Sequence, residues 1–314
     1  MKRRLHGWLA APALIVCLGL VAAACGDSGG GDAGSGAPGD TTGGTPTTQV
    51  QLAAATLNGS GATFPRAFYE EVILAFKDAQ PAVTVNYAGG GSGTGRQNLQ
   101  DGVVDFAGSD GLVRADDVPK YKGEFLYFPT VVAPITVSYN LSGVDRLSLN
   151  ADTIARIFQR QVTVWNDPAI AATNAGVSLP STPIVVAHRS DGSGTTENFT
   201  KYLAAAAPNV WTRGSGSTVE WPTDTQAGNG NTGVAQIVQS TNGAIGYVDL
   251  ADAKASGLKF ASVINKAGQP VTPTLAATSA ALDGVPVNAD LTYNPLNADG
   301  ATSRWPRRRS AGCT

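Results

Sequence analysis

The 314-residue sequence is poor in the side chains that enzymes most often use for acid–base and metal chemistry, with two histidines, three cysteines and one methionine. His6 lies in an apolar leader, and His188 adjoins a strand-like apolar run, so we expect His188 to pack rather than to act as a base. No glycine-rich segment carries the lysine of a P-loop, and 192–194 lacks the G-x-S-x-G spacing of a serine hydrolase. No group of His, Cys and carboxylate residues has metal-site spacing. The sequence therefore predicts a protein that is not an enzyme and holds no cofactor or metal.

An excess of charge of either sign is also missing, since 22 basic residues stand against 24 acidic ones, for a formal net charge of -2. The first 24 residues contain three basic and no acidic residues, so the chain after them has a net charge of -5. Such a protein has no overall field that attracts nucleic acid or an anionic membrane surface, and we expect neither as a partner. An anion would have to be bound by local donors.

The N-terminus has the pattern of an export signal. Basic residues at 2–4 precede an apolar run over 8–24, which ends in three alanines before Cys25. Small residues followed by Cys resemble a bacterial lipobox, although Ala22 stands where Leu is usual. We predict a signal peptide over 1–24 and lipidation of Cys25. An ordinary signal peptide that happens to end at Cys is the alternative.

A composition shift follows the leader. Residues 25–51 are rich in Gly, Ser and Thr and nearly free of apolar side chains, so we predict a flexible tether there. The ordered domain is expected to begin near Leu52. If Cys25 is lipidated, Cys313 has no partner, so no intrachain disulfide is expected. The apolar run of the leader is too short for a good mature span, so the lipid is the only expected contact with the membrane.

Beyond the tether, strand and helix patterns alternate as in an α/β protein with largely parallel sheets. The range 125–139 is predicted as a long β-rich stretch, a candidate crossing between lobes. In the helix predicted over 66–79, Phe68, Val72 and Phe76 share one face, as in an amphipathic helix. We predict strands over 53–59, 82–88, 104–107, 184–187 and 243–248, and further helices over 96–100, 153–158, 198–207 and 232–239.

Three glycine-rich turns that carry Ser or Thr follow predicted strands, at 61–64, 89–95 and 192–195. Free backbone N–H groups and the positive end of a helix dipole meet at such turns, which makes them ready anion sites. Arg189 adds a planar guanidinium that suits a tetrahedral oxyanion. The sequence therefore predicts an oxyanion site, with three ordinary strand-to-helix turns as the alternative.

Four motifs occur in order: LNGSGATFP at 57–65, NYAGGGSG at 86–93, VDFAGSD at 104–110 and RSDGSGT at 189–195. Two more, GSGSTVEWP at 214–222 and GAIGYV at 243–248, follow them. Over residues 57–299 the chain strongly resembles the PstS family, the phosphate-binding lipoproteins of bacterial phosphate ABC transporters.

The resemblance implies an α/β, two-lobed periplasmic-binding-protein-like fold of type II, with lobes that are joined by crossing strands and close on the ligand. Lobe 1 is expected over 52–130 plus 258–301 and lobe 2 over 131–257, with an aberrant basic tail over 302–314. The partners implied are inorganic phosphate and the permease subunits of an ABC importer. The location implied is extracytoplasmic, lipid-anchored to the outer face of the cell membrane.

The resemblance also implies a set of ligand residues. Asp191 is placed to brace the Arg189 guanidinium, and it is also a candidate N-cap of the following turn, two roles that are compatible. Asp110 would set specificity, because a buried carboxylate needs a ligand that carries a proton, as phosphate does and sulfate does not. A helix N-cap is the alternative role for Asp110. Carried over motif by motif, the phosphate ligands are Thr63, Phe64, Ser92, Asp110, Arg189, Ser193, Gly194 and Thr195.

The tail over 302–314 departs from the family, since it has four arginines, no acidic residue and no apolar periodicity. We interpret it as a shift of reading frame near Ala301 that leaves lobe 1 incomplete, with a natural basic tail as the alternative. An incomplete lobe 1 would lower stability and weaken phosphate binding. A degenerate extracellular relative that keeps only the fold is thus a second functional hypothesis. A secreted phosphatase is a third, for which the sequence offers neither a nucleophile with its base nor a metal site.

Overall fold

A computed structural model describes residues 50–283 and 285–296 of the chain. The predicted signal peptide, the lipidation site at Cys25, most of the predicted tether and the basic tail at 302–314 lie outside the described residues. Within the described ranges, no helix has the length and apolar character needed to cross a membrane.

Helices and strands alternate along the described chain, with a 3-10 helix at Ala115–Lys120. The strands are β1 (Ala55–Gly61), β2 (Val83–Ala88), β3 (Phe106–Gly108), β4 (Ile135–Asn140), β5 (Ser148–Leu149), β6 (Val185–Arg189), β7 (Gln226–Gly228), β8 (Ala244–Asp249), β9 (Lys259–Phe260), β10 (Ser262–Ile264) and β11 (Pro270–Val271). The helices are α1 (Arg66–Ala79), α2 (Gly91–Gln100), α3 (Ala151–Phe158), α4 (Pro168–Ala171), α5 (Gly194–Ala206), α6 (Gly230–Ser240), α7 (Leu250–Ala255) and α8 (Leu275–Leu282).

The first sheet has the order β2-β1-β3, and both pairings are parallel. Helices α1 and α2 make the crossovers that parallel pairing requires. The carboxyl ends of parallel strands share one edge of a sheet. At that edge, the Ala62 N–H donates to the Gly108 carbonyl across 2.8 Å, and the Tyr87 hydroxyl donates to the Ala62 carbonyl across 2.8 Å. The turn after β1 and the segment after β3 are therefore neighbours.

The second sheet has the order β7-β6-β8-β4-β9 and is mixed. Strand β6 runs parallel to β7 and β8, whereas β4 runs antiparallel to β8 and β9. A small third sheet has the order β11-β10-β5. The parallel strand pairing that the sequence predicts is thus found around β1 and β6. Strand β4 differs from the prediction because both of its pairings are antiparallel.

The hydrophobic core packs around the mixed sheet, between residues 135 and 263. Helix α3 forms at its predicted place because the Asn150 side chain accepts from the Thr153 N–H across 2.8 Å and caps it. Ile154 of α3 and Trp165 are completely buried. His188 stacks on a tryptophan at 5.0 Å between ring centroids, and burial lowers its pKa. The prediction that His188 packs in the core is therefore confirmed.

Helix α1 has the predicted bounds, but its apolar face is uncovered. Phe68 and Val72 are 41% and 45% exposed, and no residue of α1 is buried by the described part of the chain. The helix is held instead through an aromatic row, in which Tyr69 meets Tyr87 edge-on at 4.8 Å and Tyr87 stacks on Phe106 at 6.0 Å. The periodicity of an amphipathic helix thus predicted the element correctly without predicting its burial.

Four helices begin earlier than the sequence predicts, α3 and α6 by two residues and α2 and α5 by more. Helix α2 starts at Gly91 rather than at Arg96, and α5 starts at Gly194 rather than at Asn198. The backbone enters α2 through Gly90 and Gly91, whose φ angles of 126° and 86° favour glycine strongly. The glycine-rich segments at these two places are therefore the first turns of the helices, and their N–H groups are the free donors of the helix ends.

Two other sequence predictions differ from the structure. In the β-rich stretch 125–139 the strand begins only at Ile135, because Pro129 and Pro134 lack the N–H that a ladder needs. Strands β9 and β10, which lie in the range 258–301 expected in lobe 1, pair with β4 and β5 of lobe 2. The remaining lobe boundaries stay predictions.

Candidate anion-binding site

The first turns of α2 and α5 lie against each other. The Gly93 N–H donates to the carbonyl of Gly192 across 2.8 Å. A β-carbon at Gly194 would stand 2.7 Å from the β-carbon of Asp110, so a larger residue there would force the two loops apart. The positive ends of two helix dipoles are thereby brought to one place, where an anion would be stabilised.

Arg189, the last residue of β6, supplies a buried positive charge whose side chain is only 1% exposed. Its Nε donates to Asp191 Oδ1 across 2.7 Å, its Nη2 donates to Asp191 Oδ2, and its Nη1 donates to Asn231 Oδ1 across 2.6 Å. Burial alone would raise the pKa of Asp191, but the hydrogen bond and charge of Arg189 outweigh it and hold that pKa below its ordinary value. Of the five guanidinium N–H donors, two remain for a ligand.

Asp110 lies two residues beyond β3, close to both helix ends. Its N–H donates to Ser92 Oγ across 3.2 Å, and its Oδ2 accepts from the Thr195 hydroxyl across 3.4 Å. Burial raises the pKa of Asp110 to about 7, while the Arg189 charge opposes this shift. A carboxyl group with that pKa takes or gives a proton near neutral pH. No helix begins at Asp110, since the next one starts at residue 115, so its alternative role as an N-cap is wrong.

The side chain that caps α5 is that of Ser193 and not that of Asp191. Ser193 Oγ accepts from the Thr196 N–H across 3.1 Å and caps α5, so the capping role considered for Asp191 is wrong. The Ser193 hydroxyl hydrogen is still available as a donor. Ser92, Ser193 and Thr195 are each at most 1% exposed, which makes their hydroxyl groups part of the interior of the site.

Thr63 and Phe64 occupy the turn between β1 and α1. Thr63 Oγ1 accepts from the Asn231 N–H across 3.4 Å, which ties this turn to the residue that holds Arg189. Phe64 is half-buried and follows Thr63 directly. The structure thus brings the predicted ligand residues to the place where the carboxyl ends of β1 and β3 meet that of β6 of the other sheet. Phe64 is placed there as the residue that follows Thr63.

Asn231 is the residue of this site that the sequence analysis missed. It is completely buried at the start of α6, where its Nδ2 donates to Asp249 Oδ2 across 2.7 Å and its Oδ1 faces Arg189. Burial and the neighbouring Asp249 carboxylate raise the pKa of Asp252 to about 7. The available signal was a fourth glycine-containing turn at 228–230, which also follows a strand and opens a helix.

Comparison with known proteins gives one consistent answer. A family model described as a PBP superfamily domain matches residues 39–303. The phosphate-binding protein PstS of Pasteurella multocida is 38% identical over 83% of this chain and 74% of its own length. The chain belongs to the PstS family. PstS2 of Mycobacterium bovis is 36% identical over 74% of this chain and 64% of its own length, so the chain spans roughly two thirds to three quarters of these relatives.

Solved structures agree with the PstS assignment. A high-affinity periplasmic phosphate-binding protein, PfluDING, solved with bound phosphate, has a TM-score of 0.62 and 27% identity, covering 79% of this chain and 75% of its own. An ancestral soluble variant of the human phosphate-binding protein has a TM-score of 0.60 at 24% identity and supports the fold alone. The predicted α/β, two-lobed type II fold and the PstS resemblance are confirmed. The family is one of solute-binding proteins, which agrees with the prediction that the chain is not an enzyme.

Proposed function

We propose that this PstS-family chain binds inorganic phosphate outside the cytoplasm and delivers it to an ABC importer. The observation that carries the proposal is Asp110, whose carboxyl group accepts from the Thr195 hydroxyl and lies within the field of Arg189. Its backbone N–H donates to Ser92 Oγ. A site of donors alone would take any oxyanion. One carboxylate acceptor among the donors favours an anion that still carries a proton.

The proposed ligand set follows from the donors at the site. Arg189 supplies two N–H groups and the full charge, and Asp191 holds the guanidinium plane fixed. Hydroxyl groups come from Thr63, Ser92, Ser193 and Thr195, and backbone N–H groups from Phe64, Gly194 and their neighbours. The P–OH group of phosphate would donate a hydrogen bond to an ionised Asp110. If Asp110 is protonated, a phosphate oxygen would accept from it. Sulfate has no proton to give, so it would leave an ionised Asp110 facing a second anion.

The opposed loops suggest how delivery works. Phosphate in the cleft would bridge Thr63, Ser92 and Asp110 of one lobe with the residues 189–195 of the other, and so favour the closed form by hinge closure. That closed form is the state we propose the permease subunits recognise. The membrane contact would be the lipid on Cys25, and replacing Cys25 by Ser should release the exported chain from the membrane fraction.

Calorimetric titration of the exported chain, residues 25–314, tests the proposal. We expect phosphate binding, competition by arsenate and much weaker binding of sulfate. Submicromolar affinity for phosphate would refute the prediction that an incomplete lobe 1 weakens binding. A folded chain that binds none of these anions would instead support the degenerate relative. Turnover of a phosphate monoester would revive the phosphatase hypothesis.

A further inference from the structure

The segment Ser109–Gly111, which carries Asp110, is held on one side by α2. Arg96 Nη1 donates to Ser109 Oγ across 3.0 Å and to the Gly111 carbonyl across 3.1 Å. Both bonds reach the residues that flank Asp110 rather than Asp110 itself. Arg96 therefore fixes the backbone of the segment from within the lobe that contains β3.

The same segment is held on its other side by α5. Asn198 Nδ2 donates to the Asp110 carbonyl across 2.7 Å. Glu197 Oε2 accepts from Arg96 Nη1 across 3.3 Å and lies so close to Gly111 that a β-carbon there would stand 2.5 Å from Glu197 Cδ. Asp110 is thus enclosed by side chains from two helices, α2 beside the first sheet and α5 beside the mixed sheet.

The Arg96–Glu197 ion pair is largely shielded from water, with side chains 18% and 10% exposed. A shielded pair interacts more strongly than an exposed one, and parting its members leaves charges that must be solvated again. The Arg66–Glu70 pair on α1 is 60% and 62% exposed and is expected to contribute little. Lys201 Nζ also meets Glu197 Oε1 across 2.6 Å, so the glutamate would keep one partner if it were parted from Arg96.

We propose that Arg96, Glu197 and Asn198 act as a latch. Their contacts are made when α2 and α5 come together, and they hold Asp110 in the position in which it can contact the phosphate. These three are positioning residues, because they act on the backbone around Asp110 and belong to none of the ligand positions proposed above. The inference rests on the proposed phosphate site for its functional consequence. The latch should slow the release of phosphate and sharpen the rejection of sulfate.

Stopped-flow release of phosphate from the exported chain tests the latch. We expect Arg96→Ala and Glu197→Ala each to speed release about tenfold, with the double variant no faster than either single one, because both remove the same contact. Glu197→Gln keeps a hydrogen-bond acceptor for Arg96 and should recover part of the loss. Arg160→Ala is the matched control, since Arg160 makes a long-range ion pair with Asp224 and a bond to a backbone carbonyl away from Asp110.

Two further measurements separate a latch from a general loss of stability. The ratio of sulfate to phosphate dissociation constants should fall in the latch variants and stay unchanged in Arg160→Ala. Amide hydrogen exchange over 109–111 should be faster in both alanine variants with phosphate bound. Without any anion it should be faster in Arg96→Ala, which also loses the bonds to Ser109 and Gly111. Wild-type release rates and exchange in both alanine variants would overturn the latch. If the unaltered chain binds no phosphate, the proposed function fails, and the exchange comparison alone decides whether the contact holds the segment.

Discussion

The Thr195 hydroxyl donates to Asp110 Oδ2 across 3.4 Å, although the two residues are 85 positions apart and follow strands of different sheets. One is a donor at the start of α5, and the other is an acceptor beyond β3. A phosphate bound beside this pair would satisfy both groups, because one of its oxygens can accept from the hydroxyl and its P–OH group can donate to the carboxylate. One donor and one acceptor are therefore enough to favour phosphate, which carries a proton, over sulfate, which carries none.

Replacing Asp110 by Asn should turn a phosphate site into a general oxyanion site. The amide can donate where the carboxylate could only accept, so sulfate no longer faces an unmatched acceptor. We expect sulfate binding to improve by about 1–3 kcal/mol, while phosphate affinity changes less. Competition calorimetry with both anions checks this. Sulfate exclusion that survives in Asp110→Asn would show that another group reads the proton.

Anion selectivity should depend on pH in a direction set by Asp110. Burial raises its pKa to about 7, so the carboxyl is mostly protonated at pH 5.5 and mostly ionised at pH 8.5. Only the protonated form can donate to sulfate. Sulfate affinity should therefore fall about 30-fold as pH rises across this range, whereas phosphate, which supplies its own proton, changes less. Titrations at five or six pH values check the slope, and Asp110→Asn should remove the dependence.

Much of this site was predictable because its donors are encoded by local motifs. Arg189, Asp191 and Ser193 lie within five residues, so one strand-to-helix turn fixes their mutual positions. Asn231 escaped prediction because its role depends on α6 being brought beside β6 by sheet pairing, which no local pattern contains. The exposed face of α1 escaped it for a related reason, since periodicity reports which side chains share a face and not what covers them.

Arg189→Lys should weaken phosphate binding strongly although the charge is kept. A lysine ammonium cannot make the paired bonds to Asp191, reach Asn231 and present two further donors in one plane. We expect a loss of about 2–4 kcal/mol in binding free energy, measured by calorimetry. Arg160→Lys is the control, since Arg160 pairs with an exposed aspartate and should leave affinity unchanged. Equal affinity in Arg189→Lys would mean that the guanidinium geometry is not used.

Asn231→Ala should weaken phosphate binding without removing any proposed ligand group. The change removes the acceptor of Arg189 Nη1 and one donor to the buried Asp249 carboxylate, so the guanidinium loses one of its three fixed contacts. Asp249 Oδ1 still accepts from the N–H groups of Ala251 and Asp252. We expect affinity to fall by about 1–3 kcal/mol. Asn86→Ala is a matched control, because Asn86 also donates to a side chain but at an exposed position. An Asn231→Ala protein with wild-type affinity would show that Asp191 alone orients the arginine.

Loss of an apolar side chain should lower the free energy of unfolding far more in the core around the mixed sheet than on the exposed helix α1. Ile154 of α3 is completely buried in the core around the mixed sheet, so Ile154→Ala should lower the free energy of unfolding by about 2–5 kcal/mol. Leu74 of α1 is 64% exposed, and Leu74→Ala should change it by about 0.5 kcal/mol or less. Urea unfolding of both variants checks the contrast. A large loss in Leu74→Ala would mean that the surface of α1 around Leu74 is covered in solution, since only burial gives a leucine side chain that much stabilising free energy.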